Sequence, residues 1–435
     1  MHADLLIDSA RFVLVCDDDS SVLADASVAV ADGRIVAVGA SDEVRTRVDA
    51  ERLIDARGHI VMPGLVNLHT HLAMTLLRGV AEDVDLQGFL ERVWAEEARV
   101  MDPAGVELGA RLGAVEALLG GTTTALDMYF HPDAAHRGAV AAGLRHIIGP
   151  VFFSFPGPDG LGWDQRMEVA RQWPATLERI GGPHVPVAYM PHAAFTVEID
   201  DLAQIAELAR ETGGIIHTHA SENDRENADT VSGRGMRPVA CLVESGVMSL
   251  GPVLGHGVRL DQSERHVVAS ADASVAHCPG SNLKLASGAA DVVGYREDGI
   301  RVGLGTDGCS SSNDLDMFAV MRLAANLARL VREDPAAISA ADLVRMATLE
   351  GARAVGLGDR IGSIEVGKEA DLIVIDTDAP HLTPLRDPHT AIVFAAGRTD
   401  VRHVMVGGEI VVEDRRCARL DVSALLAAAN DRVGS

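Results

Sequence analysis

Histidines and acidic residues stand at or just beyond the ends of five short apolar runs in the sequence. They are His69 and His71 in LVNLHTH, His192 in VAYMPH, His219 and Glu222 in IIHTHASE, His256 in PVLGHG, and Asp307 in VGLGTD. Imidazole nitrogens and a carboxylate oxygen suit a catalytic divalent ion that keeps one position open for water. Such an ion lowers the pKa of its water towards ~7, so the pattern indicates metal-dependent hydrolysis.

The spacing of the first pair supports a shared metal site. His69 and His71 lie two residues apart on a predicted strand, so their side chains lie on one face. His219 would add a third nitrogen and Asp307 an oxygen. An HxH pair alone is weak evidence. The ordered set of HxH, HASE, a strand-end histidine and TDG is hard to obtain by chance and predicts the site.

Other histidines are expected to have packing or surface roles, because a single histidine at a strand end is more often structural than a ligand. The residues assigned in this way are His131, His136, His184 and His389. His217 joins them, because its side chain is expected to face away from that of His219.

Repeated strand–helix units must bring the candidate residues together. Residues 61–364 alternate short apolar strands with helical stretches such as IDDLAQIAELARETG. This α/β alternation predicts a parallel sheet, and so many units favour a closed (β/α)8 barrel of the TIM type. An open doubly wound sheet is the alternative, which the lack of a GxGxxG turn disfavours. In a barrel, all these strand ends would face one C-terminal mouth.

The two ends of the chain are rich in predicted strands and turns. Hairpin signals occur at Asp32-Gly33, within residues 1–60, and at Gly407-Gly408, within residues 365–420. Neither segment can bury a face alone, so the two are expected to pair into one small β-sandwich domain beside the barrel. Residues 421–435 are expected to form a C-terminal helix or tail.

Composition and charge exclude several partner classes. The formal net charge of −25 repels phosphate backbones and anionic lipid headgroups, so neither nucleic acid nor a membrane is an expected partner. Five widely spaced cysteines form no CxxC pair, and the N-terminal residues lack a signal-peptide pattern. We therefore expect a cytoplasmic enzyme with a small-molecule substrate. A homo-oligomer is compatible with the sequence.

Several longer segments resemble those of a known family. MPGLVNLHTHLAMTLLRGVAED, HTHASE, GHGV, AHCPGSNLKLASG and LGTDGCSSSNDLDMF are similar to motifs of the amidohydrolase superfamily. Within it, nearly the whole chain resembles the methylthioadenosine/S-adenosylhomocysteine deaminases, near the chlorohydrolase-type enzymes. The resemblance implies a hydrolase of cyclic C–N bonds. It would convert a 6-aminopurine nucleoside, of the adenosine, 5′-deoxyadenosine, methylthioadenosine or S-adenosylhomocysteine type, to the inosine analogue and ammonia.

The resemblance implies one metal ion, with zinc expected and Fe²⁺ and Mn²⁺ as alternatives. The implied ligands are His69, His71, His219 and Asp307. Binuclear relatives bridge two metals with a modified lysine on a central strand. The two lysines of this chain, Lys284 and Lys368, lie outside such a strand, which favours a single ion.

The resemblance also implies three catalytic roles. Glu222 would protonate the ring nitrogen beside the attacked carbon and later help ammonia to leave. His256 would orient the attacking water, and Asp307 would accept its proton. Attack at an aromatic C–NH₂ carbon breaks aromaticity, so a strong nucleophile and a ring proton are needed together.

Substrate contacts are implied less specifically. In the family a glutamate after the first strand binds the ribose hydroxyls, and Glu97 matches that place, with Glu96 as the neighbouring alternative. His192 and Ser311 match other substrate-contacting positions, and Phe89 and Trp94 could form walls of the pocket.

The segment after the third strand departs from the family pattern. Relatives that accept homocysteine nucleosides have arginines there to hold the amino-acid carboxylate. This chain has Gly149 or Pro150 at the first place, and Arg166 is a loose match for the second. The loop is instead rich in aromatic residues: Phe152, Phe153, Phe155 and Trp163. This departure predicts a small or apolar 5′ substituent.

Two alternative functions remain at this point. The same fold and metal could deaminate or dechlorinate another N-heterocycle, such as aminofutalosine, a guanine-like purine, a pterin or an s-triazine. A catalytically inactive scaffold of the same fold is the second alternative. The intact ligand set and Glu222 argue against a scaffold, which has no need of them.

Overall fold

The computed structural model describes residues 1–84 and 86–434. Its strands are β1 (His2–Leu14), β2 (Val22–Ala31), β3 (Arg34–Ala40), β4 (Asp49–Asp55), β5 (Ile60–Pro63), β6 (Leu65–His71), β7 (Thr122–Asp127), β8 (Arg145–Ile147), β9 (Val151–Phe152), β10 (Ala188–Pro191), β11 (Ile215–Ala220), β12 (Val253–His256), β13 (Ser274–His277), β14 (Arg301–Leu304), β15 (Asp307–Gly308), β16 (Leu372–Ile375), β17 (Val401–Val406), β18 (Glu409–Glu413) and β19 (Arg416–Cys417).

The α-helices are α1 (Ser41–Arg47), α2 (Leu86–Val100), α3 (Pro103–Leu119), α4 (Pro132–Ala142), α5 (Trp163–Ile180), α6 (Ile199–Thr212), α7 (Asp224–Arg234), α8 (Pro238–Glu244), α9 (Gln262–Ser270), α10 (Pro279–Lys284), α11 (Val292–Glu297), α12 (Met317–Arg332), α13 (Ala340–Met346), α14 (Leu349–Ala354), α15 (Pro388–Phe394) and α16 (Val422–Gly434). Short 3-10 helices span Leu72–Leu77, Met248–Leu250, Pro380–Leu382 and Arg398–Asp400.

Both chain ends contribute to one nine-stranded sheet. Its hydrogen-bonded order is β19-β18-β17-β16-β5-β1-β2-β3, and β4 also pairs with β1. A bulge between Ile7 and Ala10 interrupts β1, which pairs in parallel with β4 before the bulge and with β5 after it. Alternate residues of these strands enclose a hydrophobic core of their own, which includes Val28, Leu372 and Met405. The termini therefore form the predicted small β-sandwich domain.

The central part of the chain is a (β/α)8 barrel, as the alternation of strands and helices predicts. One run of parallel strands has the order β14-β13-β12-β11-β10-β9, and a second has the order β15-β6-β7-β8. The short strands β8 and β9 together form the third strand of the barrel, where the two runs meet. β15 follows β14 after two residues and pairs with β6, which brings the eighth strand beside the first.

Helix α3 holds the first barrel strand in place. Asp102 caps the helix by accepting a hydrogen bond from the Gly105 backbone N–H at 2.8 Å, and Pro103 occupies the first turn. Gly109 allows a close approach, because a Cβ there would lie 2.4 Å from the Ala73 carbonyl oxygen. The helix therefore packs directly against the segment that follows His71.

The edges of the domains differ slightly from the expected boundaries. β5 pairs with β1 and β16, so the terminal sheet extends to Pro63 rather than ending at residue 60. Helix α16 occupies most of the segment expected to be a C-terminal helix or tail. Within the described ranges, we find no helix with the length and apolar character needed to span a membrane.

Candidate active site

The strand ends of the barrel bring the four predicted ligands to one point. They are His69 and His71 on β6, His219 on β11 and Asp307 on β15. Asp307 Oδ1 lies 3.4 Å from His69 Nε2 and 3.2 Å from His71 Nε2. One nitrogen from each histidine lies within 4.8 Å of the other two. All four residues are at most 9% exposed, so the cluster is shielded from bulk water.

A hydrogen bond from Nδ1 fixes the ring of each of these histidines. The acceptors for His69, His71 and His219 in turn are His217 Nε2 at 2.7 Å, the Met128 carbonyl at 2.6 Å and the His192 carbonyl at 2.7 Å. Each Nε2 lone pair is therefore free to face the shared centre. His69 Nε2 is buried and has no hydrogen-bond partner among residues 1–84 and 86–434. Directed imidazole lone pairs beside a carboxylate fit a divalent cation.

His217 supports the cluster, and the expectation that it faces away from His219 is wrong. Residues two apart on a strand share a face, so both side chains of the HTH motif enter the barrel. The Nδ1 of His217 donates to the Val253 carbonyl at 2.9 Å, which leaves its Nε2 to accept from His69. His217 is thus a hydrogen-bond partner of a candidate ligand, as expected of the shell around a metal site.

The side chains of the cluster shift one another's pKa values. Burial alone would raise the pKa of Asp307, but hydrogen bonds from His69 and His71 outweigh it and hold that pKa well below its usual range. Burial lowers the pKa of His69 to about 4. Burial also opposes the charge on His71, but Asp307 outweighs it and raises that pKa to about 9. The cluster therefore has an ionised carboxylate that stabilises positive charge at its centre.

Glu222 and His256 lie beside the candidate ligands, as the sequence predicts. Glu222 Oε2 lies 3.7 Å from His256 Nε2, and both side chains are buried. His256 Nδ1 is held by Asn282 Oδ1 at 3.0 Å, a partner that the sequence analysis did not identify. Burial raises the pKa of Glu222. A carboxyl group in this setting can hold a proton nearer neutral pH than an exposed glutamate can.

A cavity adjoins the cluster, and its lining residues fall into two groups. We call the first the metal end; its lining includes His71, His219, Glu222, His256 and Asp307. We call the second the aromatic end; its lining includes Phe89, Trp94, Tyr129, Phe130, Phe153, His192, Phe195 and Glu97. The sequence predicts Phe89 and Trp94 as walls but gives no signal for Phe130 or Phe195. The cavity therefore combines a polar floor with a wall suited to a flat apolar ring.

Glu97, rather than Glu96, faces this cavity. Glu97 is 3% exposed, and its Oε1 accepts a hydrogen bond from the Tyr129 hydroxyl at 2.7 Å. Its Oε2 is buried without a partner in the described parts of the chain. Burial raises the pKa of Glu97 to about 7, against the lowering effect of Tyr129. Glu96 instead pairs with Arg99 on the outer side of α2.

His192 joins the two ends of the cavity. Its Nδ1 hydrogen-bonds Thr196 Oγ1 at 2.9 Å. Its ring stacks on Phe153 with centroids 4.7 Å apart and lies 4.9 Å from the His219 ring. Burial lowers the pKa of His192 to about 3, so the ring is neutral and its remaining nitrogen can bond a polar substrate atom.

Two predicted substrate residues lie outside the described lining of this cavity. Ser311 donates its hydroxyl to the Gly308 carbonyl at 3.0 Å. Arg166 is 2% exposed and forms a two-point ion pair with Asp159, at 2.9 and 2.5 Å. The prediction that Arg166 contacts the substrate therefore has no support from its position. Arg166 instead holds the 151–166 loop, because it also donates to the Val151 carbonyl and packs over Phe153.

The family model described as the amidohydrolase family matches residues 60–411. This match covers more than half of the chain and includes every residue of the cluster. The chain belongs to the amidohydrolase family.

Individual relatives are similar over almost the full length. The 5-methylthioadenosine/S-adenosylhomocysteine deaminase of Syntrophobacter fumaroxidans is 38% identical over 432 residues, which cover 98% of this chain and 96% of the relative. An adenosine deaminase from Xanthomonas campestris, solved with bound zinc, has a TM-score of 0.95 and 38% identity, covering 100% of this chain and 99% of that chain. A mutant atrazine chlorohydrolase from Arthrobacter aurescens, complexed with zinc and atraton, has a TM-score of 0.90 and 26% identity, covering 99% and 100%.

Proposed function

We propose that this chain is a metal-dependent hydrolytic deaminase that converts a 6-aminopurine nucleoside with a neutral 5′ substituent to its inosine analogue and ammonia. The observation that carries the proposal is one cavity holding both the histidine–aspartate cluster and a second buried carboxylate, Glu97. Two of the relatives described above are named as an adenosine deaminase and a 5-methylthioadenosine/S-adenosylhomocysteine deaminase, which supports the same substrate class.

The proposed cofactor is a single divalent ion, zinc by preference. Its ligands would be His69, His71, His219 and Asp307. When bound, the ion supplies Lewis acidity that activates water. Both described lysines are engaged away from the cluster: Lys284 donates to Glu82, and Lys368 donates to the Gly358 carbonyl. Neither is therefore placed to bridge a second ion, which supports a single-metal site.

Glu222 is the proposed proton carrier. Its buried carboxyl group can hold a proton, give it to the ring nitrogen beside the attacked carbon, and later help the amino group to leave as ammonia. His256, fixed by Asn282 and 3.7 Å from this carboxyl group, would orient the attacking water. Asp307 would take the proton that the water loses.

Glu97 is the proposed ribose ligand. The Tyr129 hydroxyl donates to one carboxylate oxygen of Glu97. The other oxygen is buried and has no hydrogen-bond partner among the described residues, so it is available to a ligand in the cavity. A buried carboxylate oxygen without a donor is costly, and a ribose hydroxyl would satisfy it. The adenine ring would then lie between Glu97 and the metal end, against the aromatic wall.

The surroundings of the 5′ group support a neutral substituent. Arg166 is already neutralised by Asp159. An arginine cannot be accommodated at Gly149, because even a Cβ there would lie 1.8 Å from the Ala188 carbonyl oxygen. The exposed Phe155 ring contacts Phe153, with centroids 5.3 Å apart, which adds apolar surface at this side. This setting offers an amino-acid carboxylate little compensation for its lost hydration.

Three of the alternative heterocycles make less use of this cavity. A triazine, a pterin or a free guanine lacks the vicinal hydroxyls that would satisfy Glu97, so it would leave that carboxylate buried and unpaired. The inactive-scaffold alternative leaves the directed Nε2 lone pairs and the buried Glu222 without a purpose.

Ammonia release with purified, zinc-loaded protein tests the proposal. We expect kcat/KM for methylthioadenosine to exceed that for S-adenosylhomocysteine by at least about tenfold, since ~1.4 kcal/mol of lost pairing gives this ratio. Free adenine should be a poor substrate. A strong preference for S-adenosylhomocysteine, or activity on free bases alone, would overturn the substrate assignment.

A further inference from the structure

The turn that carries Glu222 is unusual for its residue types. β11 ends at Ala220, and Ser221 then adopts a left-handed conformation with φ of 53° before Glu222. A residue with a side chain rarely occupies this region unless neighbouring contacts impose it. Helix α7 begins directly afterwards, with Asn223 accepting from the Glu226 backbone N–H at 2.7 Å. Something must therefore hold this turn in its strained form.

Glu226 makes the contacts that do so. Its Oε1 accepts from the Ser221 backbone N–H at 3.2 Å, and its Oε2 accepts from the Glu222 backbone N–H at 2.5 Å. The side chain is 3% exposed, and burial raises its pKa to about 7. Its carboxylate thus bridges the two peptide N–H groups on either side of the strained residue. Arg259 holds the turn from the other side, donating its backbone N–H to the Ser221 carbonyl at 2.8 Å.

The carboxyl group of Glu222 depends on this backbone for its position. Among the residues that the structure describes, it makes no hydrogen bond, and its Oε2 lies 3.7 Å from His256 Nε2. A side chain that must move a proton is best left without fixed partners, but its location then depends on its own backbone. Proton transfer tolerates little displacement, because donor and acceptor must come within about 2.6–3.2 Å.

We propose that Glu226 is a positioning residue for Glu222: its carboxylate clamps the Ser221–Glu222 backbone so that the Glu222 carboxyl group meets the reacting ring. This inference rests on the proposed deaminase function and assigns a role to a buried carboxylate that the mechanism does not otherwise use. Both oxygens of Glu226 accept hydrogen bonds from backbone N–H groups, so the role proposed here is positioning of Glu222.

A double-mutant cycle tests this role. Glu226→Gln keeps the shape but replaces one acceptor with a donor, and Glu226→Asp keeps the charge but is too short to reach both N–H groups. Both variants should lower kcat about 10- to 100-fold, the usual effect of losing such a support, and should change KM less than about threefold. In the Glu222→Gln background, adding Glu226→Gln should lower kcat by no more than about twofold, because the two residues act as a unit.

Glu264 provides a matched control. It is also a buried glutamate at the third position of a helix, α9, and it accepts from the Asp261 backbone N–H at 2.9 Å. Glu264→Gln should affect thermal stability without changing kcat. Three results would overturn the proposal. The Glu222 and Glu226 substitutions could lower kcat additively, or both Glu226 variants could keep the wild-type kcat. The third result is a fall in kcat for Glu264→Gln that equals the fall for Glu226→Gln.

Amide hydrogen exchange tests the role of Glu226 without requiring enzyme turnover. The Ser221 and Glu222 amides should exchange their hydrogens slowly in the wild type and at least about tenfold faster in Glu226→Gln, while the rest of α7 remains protected. If the wild type releases no ammonia from any 6-aminopurine nucleoside, the proposed function fails and the exchange data still decide whether Glu226 holds the turn. Unchanged exchange would refute the clamp.

Discussion

The two ends of the cavity are built on different kinds of scaffold. The metal end lies on barrel strands, where each candidate ligand histidine is fixed by its strand and by a second hydrogen bond from Nδ1. The aromatic end lies on helix α2 and on the segments that follow β7, β9 and β10, where Glu97 is oriented by Tyr129. A barrel keeps its chemistry at the strand ends and varies its connecting segments. We infer that the metal end sets the reaction and the aromatic end selects the substrate.

The largest effect should come from the metal end. Glu222→Gln removes the proton carrier without touching a candidate ligand, so the protein should keep its metal while kcat falls about 10²- to 10⁴-fold. Metal analysis and ammonia release on the same sample check both parts. Wild-type kcat in this variant would remove Glu222 from the mechanism and leave the metal end without an acid.

The contribution of His217 to metal affinity should be measurable. His217→Phe removes the acceptor for His69 Nδ1, so the ring of that ligand loses its orientation. Metal affinity should fall about 10- to 100-fold, as for other lost partners of ligand histidines. His277→Phe is the control, since His277 is another buried strand histidine whose ring nitrogens have no partner within the described residues. Equal losses in both variants would show only a packing effect.

Substitution at the aromatic end should change binding rather than chemistry. Glu97→Gln replaces a charged acceptor with a neutral one, which weakens a hydrogen bond by about 1–2 kcal/mol. KM for methylthioadenosine should therefore rise about 5- to 30-fold while kcat changes little. Glu96→Gln, on the outer side of the same helix, should have no effect. A fall in kcat without a change in KM would place Glu97 in the chemical step.

The same variant should also differ from the wild type in stability. Burial raises the pKa of Glu97 from 4.5 to about 7, so the folded protein disfavours the charged form. The resulting loss of stability grows as pH rises from about 4.5 and is complete above about 7, where it reaches up to ~3 kcal/mol. Glu97→Gln should therefore melt at a higher temperature than the wild type at pH 8, and the gain should vanish near pH 4. A gain that is equal at both pH values would contradict burial of the charge as its cause.

The same contrast explains what the sequence could predict. His69, His71, His219 and Asp307 were predictable because strand ends of a barrel converge, whatever the intervening chain does. The role of His217 was not predicted because its side chain was expected to face away from that of His219. The two-residue spacing that places His69 and His71 on one face applies equally to His217 and His219.

The aromatic end was less predictable because its contacts depend on tertiary packing. Phe89, Val93 and Glu97 are spaced four residues apart, so a helical reading of that segment would have favoured Glu97 over Glu96. No local pattern marks Phe130 or Phe195 as cavity walls. Arg166 could not be assigned from sequence, because its partner Asp159 is defined only by the folded loop.

Metal titration during turnover tests the central claim most directly. Metal-depleted protein is titrated with zinc while ammonia release from methylthioadenosine is followed. We expect no activity without metal and a linear rise that reaches its plateau at one zinc per chain. A plateau at two equivalents, or full activity in the presence of a chelator, would contradict a single-metal deaminase.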